Sequence, residues 1–471
     1  MRQDRTNKKF SIPGISTTIV GMNPRSLVKK IIPVSLFFKL APYLHLVESV
    51  LLQVRHGFPA RGIKIIGVTG TDGKTSTSFL IHRMFHEAGY KTGLMTTVGY
   101  GVGANIKPQI EHMTTVPVGQ LLQRIKAMKS EGVEWLVLET TSHALAQYRT
   151  WGIPYSVVVM TNLSHEHLDY HKTFENYRAA KRRLFEQCNG NKKGLRVGIV
   201  NADDANAEAF SSAIKNSIFY GVKSGNLRAK NIKLTTSGSR YVAVIGNEEY
   251  RIECHLPGSF NVYNSLATVG VGRAAGLTKQ QIEKGIAALS GVEGRMTRID
   301  EGQDFDVIID YAHTPDSFKK ILEEIKPVVQ GKMIVVFGSA GRRDEAKRAV
   351  QGKIAGELAE IVVATEEDDR DIDGMEILQQ IASGAKEAGK VEGENLFLVH
   401  KREDAIETAF KMAKAGDLVV LLGKGHEKSI LSNGPDAAKL RHLPQDDKNP
   451  RRVIERSYNE IKVAKKLLKL L

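Results

Sequence analysis

Cysteine is almost missing: of 471 residues only Cys188 and Cys254 are cysteines, and they lie far apart. That excludes a disulfide framework and a cysteine-rich zinc site, so a reducing, cytoplasmic setting is expected. Long apolar runs are missing too. No stretch of about 18 uninterrupted apolar residues occurs, which argues against a spanning helix, and no small-residue cleavage site follows a short apolar core, which argues against an exported precursor. Acidic residues are in deficit, 52 against 67 Lys and Arg, leaving a net charge of +15 that calls for anionic partners. Aromatics make up only 7% and are not interleaved with basic residues in any nucleic-acid-reading pattern, so no nucleic-acid partner is expected. What remains, 42% apolar and 25% charged residues, is a soluble globular balance. The length calls for two or three domains.

The most informative segment runs from Ile63 to Ser76, an apolar strand entering a Gly-rich turn that ends in Lys74-Thr75 before a helix. Glycines let backbone N–H groups close on phosphate oxygens, a lysine there reaches the terminal phosphates, and the threonine hydroxyl can hold Mg²⁺. The glycines are Gly67, Gly70 and Gly73, and Val68 stands where the usual Walker spacing has its first glycine. The segment nonetheless assigns ATP binding to Gly70, Thr71, Gly73, Lys74, Thr75 and Ser76.

The fold class is α/β. Strands are expected at 63–69, 93–97, 134–139, 155–161 and 196–200, with helices at 74–88, 117–130, 174–187 and 204–214, as in a mostly parallel, P-loop-ATPase-like sheet covered on both faces. Residues 227–256 alternate polar and apolar as an antiparallel excursion, followed by a helix near 260–275. Beyond Arg298 the alternation restarts, with strands near 305–310, 332–337, 360–364, 395–399 and 417–422, as in a second, Rossmann-like domain. The expected division is a short helical, basic and apolar region at 1–60, an ATP-binding domain at 61–293 and the Rossmann-like domain at 294–471, where Asn449 to Leu471 reads as a basic amphipathic helix.

Four polar clusters each follow an apolar strand: Glu139 to His143, Thr161 to His171, Asp310 to Asp316 and Gly423 to Glu427. Strand ends are where open α/β sheets bind ligands. Together with Tyr177-Arg-Ala-Ala-Lys181, Leu184-Phe185 and Gly294-Arg295-Met296, these runs resemble the Mur ligase family, in the type that adds a diamino acid to UDP-N-acetylmuramoyl-L-alanyl-D-glutamate. The likeness covers residues 62–450.

The resemblance implies an ATP-dependent amide-bond ligase of peptidoglycan precursor synthesis, working through an acyl phosphate with ATP and Mg²⁺. It makes Lys74, Lys181, His167 and Glu139 the catalytic residues and Thr75, Glu139, His167 and a CO₂-carbamylated Lys181 the metal ligands. His167 is the odd member, because Mg²⁺ prefers oxygen, and Glu166 replaces the family's usual aspartate. Thr114, Thr115, Ser142, Gln147 and Arg149 are implied to hold the acceptor, although Val116 is inserted ahead of the expected proline. Asn261 and Asn264 are implied adenine-side contacts, and Arg295, Asp310 and His313 are implied ATP contacts from the closing third domain. The donor would meet Arg343, Asp368, Arg370, Gly423 and Glu427, with Asp368 and Asp369 at the family's Asn and Pro places. An arginine at 370 favours a donor with a distal carboxylate, meso-diaminopimelate; the extra acids favour L-lysine. Diaminopimelate is the reading preferred, with Glu427 taking its ammonium group.

The family normally carries a uridine-nucleotide-binding α/β domain where this chain has only residues 1–60. Its Leu27 to Gln53 reads either as helices packed on the ATPase domain, the preferred alternative, or as a basic amphipathic segment resting on a membrane surface. Rival functions are a folylpolyglutamate synthetase-like ligase, which typically shows His-Asn-Pro where His313-Thr314-Pro315 stands, and a noncatalytic Mur-like partner subunit, whose usual zinc-ribbon cysteines are missing. A membrane-bound scaffold is a third.

Overall fold

The computed structural model describes residues 34–109, 113–433 and 453–471. Its larger sheet has eleven strands: β1 (Lys64–Thr69), β2 (Thr92–Met95), β3 (Gly99–Val102), β4 (Asn105–Pro108), β5 (Trp135–Glu139), β6 (Tyr155–Met160), β7 (Val197–Asn201), β8 (Asn216–Gly221), β9 (Leu227–Thr235), β10 (Gly238–Ile245) and β11 (Glu248–Cys254). Their spatial order is β11-β10-β9-β8-β7-β6-β1-β5-β2-β3-β4. The strand that feeds the Gly-rich turn therefore lies between β5 and β6, parallel to both, with Val68 opposite Glu139 and Thr69 opposite Met160. Three strands end side by side, so the polar segments that follow them converge.

Both faces of the parallel part are covered, which is why β1, β5 and β6 read as unbroken apolar runs rather than alternating ones. One face packs the helices Lys74–Glu87, Phe260–Ala274 and Lys279–Ala287 over a core that includes Phe85 and Trp135. The opposite face packs Val118–Ser130 and Phe174–Gly190 around Tyr155, Tyr177 and Phe185.

The second sheet holds β12 (Thr297–Ile299), β13 (Asp306–Asp310), β14 (Met333–Phe337), β15 (Ile361–Ala364), β16 (Leu396–Leu398) and β17 (Leu418–Leu422) in the order β12-β13-β17-β14-β15-β16, all parallel except β12. Because β13 and β17 are neighbours, with Asp310 opposite Leu422, the Asp310 and Gly423 clusters share one sheet edge.

The expected strands stand within two residues of their places. The β3–β4 hairpin and β8 escape a reading tuned to long apolar runs, because the hairpin strands are short and all three are only partly buried. The helix expected at 204–214 is confined to Ala207–Ser211. The carboxyl-terminal segment is not one helix. Residues 449–452 lie outside the described residues, Val453–Ser457 forms β19 antiparallel to β18 (Ser429–Asn433), and only Glu460–Leu468 is helical. Its stripe of Ala464 and Leu468 is buried on the second sheet.

Of the segment Leu27 to Gln53, residues 27–33 lie outside the described residues; the rest belongs to the helix Val34–His56, which packs against Val118–Ser130. Ser49 and Gln53 face inward, and the Gln53 amide donates to the Trp151 carbonyl at 2.8 Å. Among the described residues, no helix is long and apolar enough to cross a membrane.

The last helix is tied down by a wholly buried ion pair. The Arg402 guanidinium donates to both Glu460 carboxylate oxygens at 2.6–3.1 Å, to the Glu366 carbonyl at 3.1 Å and to the Leu422 carbonyl at 2.8 Å. Removing one partner of such a pair leaves the other charge uncompensated in the interior. Glu460→Ala is therefore expected to lower stability by about 3–5 kcal/mol in denaturant unfolding, whereas Lys462→Ala, on the same helix, is expected to be nearly neutral.

Candidate active site

The Gly-rich turn is shaped by backbone that only glycine fits. Gly73 has φ 77°, and a Cβ there would lie 2.4 Å from the Asn264 Oδ1. At Gly70, φ 152°, a Cβ would lie 1.8 Å from the Thr161 Oγ1. The segment after β6 braces the turn: the Thr71 amide donates to the Asn162 carbonyl at 2.9 Å, the Asp72 amide to the Asn162 Oδ1 at 2.9 Å, and the Thr161 hydroxyl to the Asp72 carbonyl at 2.6 Å. The helix starting at Lys74 has no side-chain cap, so its first N–H groups face the turn as an anion site.

Two lysines meet on this turn. Lys74 Nζ donates to the carbonyls of Gly70 (3.0 Å) and Thr71 (2.6 Å), and Lys181 Nζ donates to the same Gly70 carbonyl. Lys181 is fully buried, with its ammonium 4.6 Å from the centre of the Tyr177 ring. Burial first, and the Lys74 cation second, hold its amine well below the usual lysine range. The Tyr177 hydroxyl is 3.0 Å from that of Thr71.

Glu139, 1% exposed, closes the other side. Its carboxylate accepts from the Thr75 hydroxyl at 3.0 Å and from the Thr97 amide at 3.1 Å, and the Thr97 hydroxyl lies 3.1 Å from its second oxygen. Thr97 also lies 2.8 Å from the Thr114 hydroxyl, and the Thr115 hydroxyl donates to the Glu139 carbonyl at 3.2 Å. Ser76 is buried in the helix's first turn.

His167 takes a left-handed φ of 56° at the start of the short helix Leu168–His171, and its half-exposed ring is 4.8 Å from that of His143. His171 Nε2 lies 3.0 Å from the Ser142 Oγ. Burial, then His143, holds His171 down to about 4, and burial, then His167, lowers His143. Arg149 donates to the Thr115 carbonyl and to the Gln147 Oε1 at 2.7 and 2.9 Å, while Gln147 Nε2 donates to the Tyr170 hydroxyl at 3.2 Å. Of the five residues expected around the acceptor, Thr114, Thr115, Gln147 and Arg149 are thus linked to Glu139 through hydrogen bonds, while Ser142 bonds His171. Asn261 and Asn264 are buried behind the loop helix: Asn264 Nδ2 donates to the Asn261 Oδ1 at 2.8 Å, and the Asn264 Oδ1 accepts from the Thr77 hydroxyl at 3.1 Å.

The second sheet reaches this region through the helix Pro315–Ile325. Lys320 pairs with Asp72 of the turn at 2.8 Å, and Glu324 accepts from the Ser259 amide at 3.1 Å. At the sheet edge, the Asp310 carboxylate accepts from the Met296 and Ala312 amides, both at 2.8 Å; burial raises its pKa against the opposing effect of Arg295. Arg295 stands 5.5 Å from the centre of the Tyr311 ring, and Lys347 Nζ donates to the His313 carbonyl at 3.1 Å.

On the donor side, the fully buried Lys424 donates to Asp368 at 3.0 Å and to Glu427 at 2.6 Å, and the Tyr311 hydroxyl also donates to Glu427. These two acids of the expected donor site therefore already share one cation. Glu367, absent from the sequence-based set, has no hydrogen bond among the described residues; it lies beside Gly423, where a Cβ would be 3.0 Å from its Oε2. Burial raises it to about 7 against the pull of Lys347 and Lys424. Arg343 and Arg370 carry no ion pair among the described residues, and their loops touch through the Gly341 amide donating to the Asp368 carbonyl at 2.8 Å. The acidic run is not a solvated face, since Glu366, Glu367 and Asp369 are buried. Thr97 and Lys347 were also missed. Thr97 closes an expected strand and Glu367 follows another, so the strand-end rule could have found both; nothing local marks Lys347.

A profile of the Mur ligase middle domain matches residues 68–272, and one described as Mur ligase, glutamate ligase domain matches residues 294–425. The chain is 39% identical over 388 residues to the UDP-N-acetylmuramyl-tripeptide synthetase of Roseiflexus sp., covering 80% of this chain and 76% of that protein. It is 38% identical over 384 residues to the UDP-N-acetylmuramoyl-L-alanyl-D-glutamate–2,6-diaminopimelate ligase of Bacillus velezensis, with 80% and 76% covered. Among solved structures, a ligase with the same 2,6-diaminopimelate name superposes with a TM-score of 0.64 at 28% identity, covering 87% of this chain and 79% of that one. The Mycobacterium tuberculosis folylpolyglutamate synthase gives 0.62 at 15% identity, covering 80% and 92%, a likeness of fold alone. The chain belongs to the Mur ligase family. It is an ATP-dependent, ADP-forming acid–amino-acid ligase of peptidoglycan precursor synthesis.

The raised pKa of Glu367 has a signature in stability. Between about 4.5 and about 7 the folded chain keeps a proton that the unfolded chain has released, so this group makes stability fall as pH rises through that window. Glu367→Gln is expected to flatten that fall. The variant should gain about 3 kcal/mol relative to the parent between the acid end and neutral pH, read from denaturant midpoints across the range.

Proposed function

We propose that this enzyme joins meso-diaminopimelate to UDP-N-acetylmuramoyl-L-alanyl-D-glutamate in the cytoplasm, with residues 61–293 handling ATP and acceptor and residues 294–471 handling the donor. The observation that carries the choice of donor is the charge balance beyond β15. Lys424 shares its single charge between Asp368 and Glu427, while Arg343 and Arg370 carry no ion pair among the described residues. These two guanidinium groups favour a donor that ends in a carboxylate, and Glu367, without a hydrogen bond among the described residues, is an acid that can meet its ammonium group.

A carboxylate is a poor acylating agent because its oxygen leaves badly, and phosphorylation by ATP turns it into an acyl phosphate. The charge that develops is matched here by Lys74 and the helix N-terminus above Thr75. The oxygens of Thr75 and Glu139 fit Mg²⁺ by their hardness; His167 joins them on the family resemblance. Mg²⁺ bound there offsets the charge of the triphosphate. The buried Lys181 amine, held well below the usual lysine range, suits carbamylation. Its nitrogen lone pair bonds to the carbon of CO₂ and a proton leaves, which converts a would-be cation beside Lys74 into an anionic oxygen donor. Arg149 and the threonine wall hold the acceptor's carboxylates, and approach of the Arg295–His313 segment keeps water from the acyl phosphate.

Phosphate release should require the muramoyl dipeptide and a diamino acid together, with meso-diaminopimelate preferred to L-lysine. Release with a folate and glutamate instead would overturn the assignment. Lys181→Ala is expected to cut turnover by at least about 100-fold with the fold intact by circular dichroism. Arg370→Ala should raise KM for diaminopimelate by about 10–100-fold, the loss of one charge-assisted contact, and narrow the preference over lysine.

A further inference from the structure

From Pro42 to His56 the helix Val34–His56 has one face docked and one that is exposed among the described residues. Ser49 and Gln53 are buried and Leu52 packs on the core. Tyr43, Leu44, Val47, Leu51 and Val54 are 66, 48, 56, 64 and 63% exposed. At 3.6 residues per turn these five side chains fall within an arc of about 100°, a continuous apolar stripe turned away from the protein. Scattered exposed apolar residues are ordinary, but a stripe of five on one helix is an interaction surface.

Charge identifies the partner. The first 61 residues hold ten Lys and Arg against two acids, a surplus of eight out of the chain's fifteen, although they make up a small part of its length. Arg55 and Arg61, beyond the stripe's carboxyl end, are exposed. An apolar stripe of this width in a strongly basic part of the sequence matches an anionic bilayer surface, where the stripe enters the headgroup boundary and the exposed Arg55 and Arg61 meet acidic lipid. A protein partner of matching shape would need no such charge surplus. We propose that this helix is a peripheral anchor for anionic membrane surface, one that lies on the bilayer without crossing it. The candidate ATP and donor sites take no residue from it, so anchoring and ligation are separable.

The test is co-sedimentation of the full-length chain with vesicles of phosphatidylcholine alone and of phosphatidylcholine containing phosphatidylglycerol. At least about tenfold more protein is expected on the anionic vesicles at low salt, falling as salt screens the charge. Leu51→Asp/Val54→Asp should remove that binding while leaving ligase turnover unchanged. Failure of the parent chain to bind either vesicle would overturn the proposal. So would a self-associated parent that the double substitution turns into a monomer without any vesicle binding, since the stripe would then be a contact between copies.

Discussion

A single carbonyl oxygen, that of Gly70, receives two lysine side chains, and the larger sheet is arranged so that this can happen. Lys74 comes from the helix that follows β1, whereas Lys181 comes from a helix more than a hundred residues later that covers the opposite face. They meet because β6 lies beside β1 and hands its Thr161–Asn162 segment to the turn as a brace. Burial first, and the Lys74 cation second, hold the Lys181 amine below the usual lysine range, which favours its proposed carbamylation. Glu139 reaches the same place from the other flanking strand and is held by three hydroxyl or amide contacts before any substrate enters. The pairing order β6-β1-β5 is thus the constraint from which the site follows.

The second sheet repeats the logic with other charges. Its neighbouring strands β13 and β17 bring Asp310 and Gly423 to one edge, and Arg402 anchors the loops from behind by bonding the Glu366 and Leu422 carbonyls while its charge is matched by Glu460. One lysine is shared between Asp368 and Glu427, while Arg343 and Arg370 of the same edge carry no ion pair among the described residues.

The strands and the loop were readable because β1, β5 and β6 are long, apolar and followed at once by polar residues. Lys74 and Thr75 could be picked out from the loop alone, whereas Glu139 took its role from the family resemblance. Short pieces such as the β3–β4 hairpin were not readable, since four residues with little burial carry no periodic signal. The state of an ionisable side chain was also hidden. Sequence treated Asp368 and Glu427 as available acids and passed over Glu367, because the burial of Lys424 that decides among them depends on packing between distant segments. Helical patterning failed at Val453–Ser457 for a related reason, as pairing with β18 overrode the preference expected from the residues that follow it.

Lys320 and Glu324 stand one helical turn apart on the same face, the first reaching Asp72 and the second the backbone of Ser259. The two sheets therefore share a short rail whose outer rung is an exposed ion pair and whose inner rung is a carboxylate on an amide. Ionic strength weakens the first far more than the second, so the way the halves engage over the nucleotide loop becomes a property of the surrounding solution as well as of the chain.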